Sequence, residues 1–175
     1  LNSDTIVLES SIANTVKFAD ENPRTAVTGC QVLNTDGTIQ RTCFKFPSIL
    51  NMLLSSTYLY KLFPKNKFFG REQMTWWDRG DVRQVDVVTG CFMLVRREAI
   101  EQVGPMDERF FMYGEETDWC YRFWLNGWKV MFAPVGRIIH FGGQSTAKRP
   151  VVMIVQLRLS ILKFIKKHHS WPSQL

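Results

Sequence analysis

Short β-branched runs alternate with stretches of helical periodicity, with Pro and Gly between them, and this alternation most restricts the fold. Thr5 to Leu8 reads as a strand. Ser10-Ser11 follow as helix N-caps, and Ile12, Val16 and Ala19 have the i, i+4, i+7 spacing of one helical face. Asn22-Pro23 stops that helix, because the residue before a proline is pushed out of helical geometry, and Thr25 to Leu33 reads as the next strand. Asn34-Thr35-Asp36-Gly37 is a turn leading to a return strand through Ile39. Ile49, Leu50, Leu53, Leu54, Leu59 and Leu62 predict a helix or broken helical excursion between Pro47 and Phe63. Lys65 to Asp81 reads as a long polar and aromatic loop, a kind usually functional or mobile.

Val85 to Val88 and Phe92 to Val95 are strand-like around Gly90, and Arg97 to Val103 is a short helix ended by Gly104-Pro105. An acidic segment then opens a helix that runs to about Asn126, with Gly127 at its C′ position. Trp128 to Ala133 and Arg137 to Phe141 are strands separated by Pro134 and Gly136. The whole reads as an α/β layered domain. Its 175 residues, 45% hydrophobic, suffice for one core, with residues 1–150 as the domain and 151–175 as a basic amphipathic helix and tail.

Composition narrows the partners. The net charge of +6, crowded toward the C-terminus, favours phosphates or anionic lipid surfaces; no nucleic-acid motif accompanies it, so no nucleic acid is expected. Cys30, Cys43, Cys91 and Cys120 form no CxxC pair and read as free thiols of a reducing compartment. No apolar run reaches the ~18 residues that cross a bilayer. No signal-peptide pattern is present either, which points to a cytoplasmic protein with peripheral contact at the inner membrane face left open.

Three groups of residues carry chemistry. Glu115, Glu116 and Asp118 fall in the first turn of a helix, whose dipole favours negative charge; they are either simple N-terminal charge or, beside Phe110, Phe111, Met112, Tyr113 and Trp119, carboxylates whose pKa a hydrophobic wall raises. Asp4 with Asn2 supplies hard oxygen atoms suited to Mg²⁺ or Mn²⁺, or else makes a turn. His140 before Gly142-Gly143 is either a divalent-metal ligand or a structural imidazole. Asp118 and Arg122 are spaced to pair on one helix face, and Cys120, Phe123 and Trp124 read as core. In the tail, Val155, Leu159, Leu162 and Ile165 form an apolar stripe with Arg158, Lys163, Lys166 and Lys167 mainly outside it. That stripe packs against the domain or a partner, or lies on anionic lipid.

The order of motifs resembles a known family. Leu1-Asn2-Ser3-Asp4-Thr5 is similar to an Asn-Pro-Asp-Thr form of the DxD motif, with Ser3 in place of the proline. Leu33 to Gln40 looks like the hairpin that follows, and Gly90-Cys91-Phe92-Met93-Leu94-Val95-Arg96-Arg97 like the acceptor-side strand. Val103 to Phe111 leads into Tyr113-Gly114-Glu115-Glu116-Thr117-Asp118, and Gly127-Trp128 and His140-Phe141-Gly142-Gly143-Gln144-Ser145 complete the series. Together they resemble the C-terminal part of inverting family 2 glycosyltransferases of the rhamnosyltransferase-like kind.

That resemblance implies a GT-A fold, a mixed Rossmann-like sheet flanked by helices, with the N-terminal nucleotide-binding half expected to be missing. The chain as given is then expected to bind donor poorly and to be inactive alone. It also implies inverting sugar transfer from a nucleotide-diphosphate donor such as dTDP-rhamnose to a glycan or lipid-linked acceptor, in bacterial cell-surface polysaccharide synthesis. Glu116 stands where the family usually has Asp and is the expected base, with Asp118 as the alternative. Glu115 is an orienting or acceptor-binding neighbour, Trp119 an acceptor platform or core, and Gly90 and Cys91 lie on the acceptor-side strand. Asn2, Asp4 and His140 are expected beside a Mg²⁺ or Mn²⁺ ion and the diphosphate, where Gly142, Gly143 and Ser145 let backbone donors approach phosphate oxygens. The competing class is a carbohydrate- or nucleotide-binding module without turnover.

Overall fold

The computed structural model describes residues 1–142 and 150–169. Its elements follow the expected alternation: β1 (Thr5–Leu8), α1 (Ser11–Glu21), β2 (Thr25–Leu33), β3 (Cys43–Phe44), α2 (Ile49–Ser56), α3 (Leu59–Leu62), β4 (Arg83–Gln84), β5 (Val87–Val88), β6 (Leu94–Val95), α4 (Arg97–Val103), α5 (Glu115–Leu125), β7 (Lys129–His140) and α6 (Pro150–His168). The principal sheet is built on β7. β2 runs parallel along one edge of it and pairs antiparallel with β6 beyond; β4 and then β1 pair antiparallel along the other edge. β3 and β5 form a separate antiparallel pair.

The two strands expected around Pro134 and Gly136 are one strand with an interruption at that place. Gly29 pairs with Phe132 and Gln31 with Arg137, so residues 133–136 bulge out of the ladder. The N-terminus of α1 seats in this bulge. Ser11 Oγ accepts from Arg137 N–H at 2.8 Å and lies 2.7 Å from Arg137 O, and a Cβ on Gly136 would come within 2.7 Å of the Ser11 carbonyl oxygen. The Ser10 side chain makes no capping bond. The buried face of α1 is therefore Ser11 and Thr15, whereas Ile12 and Val16, expected to face the core, are exposed.

Residues 64–82 contain no helix or strand, as expected, but they are anchored. Met74 and Trp77 sit in the main core, and the buried Arg79 guanidinium donates to the carbonyls of Met74 (2.8 Å), Trp77 (2.5 Å) and Gln73 (2.8 Å). The core around them, which includes Val27, Val88, Trp119, Cys120, Phe123 and Phe132, is what fixes α5 to the sheet. Each fully buried ring such as Phe123 or Phe132 contributes about 1.5–3 kcal/mol of transfer free energy. All four cysteines are free and buried, and no helix among the described residues is long and apolar enough to cross a membrane.

Candidate active site

The C-terminal end of β7, the segment before β1, the hairpin after β2 and the turn before α5 converge on a cleft of about 570 Å³. Its lining includes Asn2, Asp4, Gln40, Arg41, Cys91, Glu115, Glu116 and His140. Pairing of Thr5 with His140, and the Phe141 N–H donated to Asp4 O at 3.0 Å, bring Asp4 beside the imidazole. Gln40 fixes that imidazole. Its amide nitrogen donates to Asn34 Oδ1 at 2.9 Å, so its Oε1, 2.7 Å from His140 Nδ1, accepts the ring N–H. His140 Nε2 lies 3.3 Å from both Asp4 Oδ1 and Asn2 Nδ2. The expected trio Asn2, Asp4 and His140 is thus assembled from residues 138 positions apart.

Across the cleft, Tyr113 and Gly114 both adopt positive φ (64° and 90°), which turns the chain sharply into α5. A non-glycine residue there is sparsely populated and stores strain. The turn aims the first two acids of α5 into the cleft. Glu116 also lines a second cavity of about 260 Å³, together with Thr89, Tyr113, Leu157, Ile161 and Phe164. Burial first and the neighbouring Glu115 charge second push the Glu116 carboxyl up to about 7, against the Gly114 N–H donated to it at 3.2 Å. Glu115 Oε2 is buried with no hydrogen-bond partner among the described residues, an acceptor held ready for a donor group.

Asp118 does not line this cleft. Its side chain is fully buried and accepts from Arg122 Nε (2.8 Å), Lys167 Nζ (2.6 Å) and His168 Nε2 (2.6 Å). Desolvation alone would raise its pKa, but the hydrogen bonds from Lys167, His168 and Arg122 and the Lys167 charge outweigh it and hold the carboxyl below its ordinary value. Arg122 also donates to Val103 O and Pro105 O, tying α5 to the end of α4. The alternative base is therefore corrected to a structural anion: with no open side, it has no route to an acceptor hydroxyl. Trp119 is corrected from acceptor platform to core. It is 8% exposed, and its indole N–H donates to Gly104 O at 2.8 Å. Conversely Trp124, read as core, is half-exposed beside Phe46 and Tyr121.

Gly90 and Cys91 line the cleft as expected, but burial raises the Cys91 thiol, which lies 3.1 Å from Thr89 Oγ1, so it is a wall and not a nucleophile. Gly142 has φ 52° and lies close to His140 and Gln40; Gly143 and Ser145 lie outside the described residues. Sequence reasoning gave no role to Gln40 or to Arg41, which among the described residues is the one arginine or lysine lining the cleft. It also missed what holds the 107–118 segment. From α6, Gln156 and Ser160 donate to Met112 O (3.4 and 3.1 Å), Lys163 donates to Arg109 O, Lys167 bridges Asp107 and Asp118, and His168 joins it on Asp118. Nothing local to residues 107–118 signals partners some fifty positions downstream.

With this geometry in place, the comparisons with known proteins can be read. The family model described as "Glycosyltransferase like family 2" matches residues 1–157. The chain is 28% identical over 170 residues to an N-acetylglucosaminyl-diphospho-decaprenol L-rhamnosyltransferase of Mycobacterium tuberculosis, covering 94% of this chain and 54% of that protein. It is 25% identical over 140 residues to the O-antigen biosynthesis protein RfbC of Myxococcus xanthus, covering 80% of this chain and 10% of the other. A 57-residue stretch is 39% identical to rhamnosyltransferase WbbL of Escherichia coli, covering 33% and 22% of the two chains. The chain thus spans about half the length of the mycobacterial protein and less of the other two.

Proposed function

The chain belongs to glycosyltransferase family 2, and from that premise we propose that its cleft performs inverting transfer of a sugar from a nucleotide-diphosphate donor to a hydroxyl of a glycan or lipid-linked acceptor. Glu116 is the base. A carboxyl with a pKa near 7, in a cleft that also holds Asp4, Arg41 and His140, is the observation that carries the reading. In the transfer, Glu116 takes the acceptor proton as the acceptor oxygen bonds to the anomeric carbon. The bond from that carbon to the diphosphate oxygen breaks on the opposite face, and the nucleoside diphosphate leaves. Arg41 supplies fixed positive charge to the departing diphosphate, and Glu115, with its unpartnered oxygen, accepts from an acceptor hydroxyl. The names of the relatives favour a deoxyhexose donor of the dTDP-rhamnose kind and a polyprenol-diphosphate-linked or O-antigen-type acceptor, hence a role in bacterial surface polysaccharide synthesis.

The donor set fits a small divalent cation. Asp4 Oδ1 and Nε2 of His140, 3.3 Å apart, stand at the separation of adjacent ligands of one ion, and Asn2 adds an amide that can turn its oxygen inward. Mg²⁺ or Mn²⁺ held there would neutralise charge on the leaving diphosphate. The test is transfer from dTDP-rhamnose by the complete natural protein, with and without chelator. Transfer that needs Mn²⁺ or Mg²⁺ and collapses in Glu116→Gln supports the reading. Tight donor binding with no turnover under any metal would make the protein a binding module instead.

A further inference from the structure

We propose that the outward face of α6, with the adjoining α2 and α3, is a docking surface for an anionic lipid bilayer. α6 buries Phe164 and Ile165 against Phe110, with Ile161 beside them, yet a second apolar face stays uncovered among the described residues. Its inward side carries Gln156, Ser160, Lys167 and His168, which bind the 107–118 segment. Its outward side carries Val151, Val155, Leu159 and Leu162, which share one helical face and are each more than half exposed. Polar and aromatic groups share the inward side, and these four aliphatic groups face out.

A neighbouring region repeats the pattern. Met52 of α2 packs in the same cluster as Ile161 and Phe164 of α6, and beside it Leu53, Leu62, Phe63 and Phe68 are exposed. The formal charge of these two stretches has one sign, although Glu72 accepts from Ser55 and Asp107 pairs with Lys167. Residues 49–71 contain Lys61, Lys65, Lys67 and Arg71, residues 150–169 contain Arg158, Lys163, Lys166 and Lys167, and neither stretch has a single Asp or Glu. A second copy docking the same face would bring the basic groups of these stretches together and oppose its own apolar contact. A bilayer whose head groups are negative satisfies both the apolar side chains and the basic groups. The arrangement also explains the position of the smaller cavity, which extends from Leu157 and Ile161 of α6 to Glu116 and so places the proposed base next to the docking face.

The experiment is co-sedimentation of the complete natural protein with vesicles of phosphatidylglycerol and phosphatidylcholine, against vesicles of phosphatidylcholine alone, with sedimentation velocity in parallel. The expected result is partition onto the anionic vesicles that weakens at high salt. It should fall about tenfold or more in Leu159→Glu/Leu162→Glu and in Lys61→Gln/Lys65→Gln/Lys67→Gln, the second variant altering only exposed charge and so keeping the fold. Protein that stays in the supernatant with anionic vesicles overturns the proposal. So does wild-type partition by the lysine variant, or a Leu159→Glu/Leu162→Glu protein that loses a dimer while keeping its vesicle partition.

Discussion

Glu116 and Asp118 stand two residues apart in the first turn of α5, and their pKa values move in opposite directions. Glu116 meets the cleft, with Glu115 as a like-charged neighbour and backbone N–H groups as its donors among the described residues, and it rises to about 7. Asp118 meets Arg122, Lys167 and His168 inside the protein and is held below its ordinary value although it is the more deeply buried of the two. Burial therefore does not decide a carboxylate's role; the sign of what it is buried against does. One turn of helix carries a carboxyl raised toward neutrality on one side and a stabilised anion on the other.

The sharpest way to break this contrast is at the base. Glu116→Gln in the complete protein should lower turnover by about 10²–10⁴-fold while leaving the donor KM nearly unchanged. Undiminished turnover in steady-state kinetics would sink the assignment. Asp118→Asn should instead show its effect in denaturant unfolding, with a loss of about 3–5 kcal/mol, because Arg122 and Lys167 lose their buried counter-charge and His168 a hydrogen-bond partner. Its folded molecules should keep turnover well above that of Glu116→Gln; the reverse pattern would exchange the two roles. Trp119→Phe, on the core side, should cost about 1 kcal/mol for the lost indole hydrogen bond and leave the acceptor KM unmoved.

The same contrast predicts pH behaviour. The raised Glu116 lowers stability as pH climbs from its unfolded value of 4.5 toward about 7, so thermal melts should show Glu116→Gln gaining on the wild type across that window and keeping the gain above it. Asp118 behaves oppositely, adding stability at neutral pH that is lost as pH falls through its depressed folded value. The smallest effect is expected from Glu115→Gln. Removing the neighbouring charge should move the acidic limb of the kcat/KM profile to lower pH, and an unmoved limb would mean that burial alone sets the Glu116 value.

Much of the scaffold was legible because it is local. Pro23, Gly104 and Gly127 stop elements where they were expected to, and the Asp118–Arg122 pair follows from helical spacing alone. The trio Asn2, Asp4 and His140 was legible only through the order of motifs, since no local signal joins residues at the two ends of the chain. Arg41 and Gln40 were missed because an exposed polar hairpin looks the same whether or not it borders a cleft. The apolar stripes of α1 and α6 were legible as faces, but not what covers them: Ile12, Val16, Val155, Leu159 and Leu162 are exposed, while Ile165 of the same α6 stripe is buried.

The sequence by itself determined which elements form, where they stop, and that three acids open α5, because backbone preference and helical period act over a few residues. Only the tertiary structure decided which of those acids meets the cleft and which way the amphipathic helices turn. Those outcomes rest on Lys167 and His168 reaching Asp118 across some fifty residues, and on the α1 hydroxyl finding a bulge in β7. A periodic pattern defines a face; it does not say what will cover it.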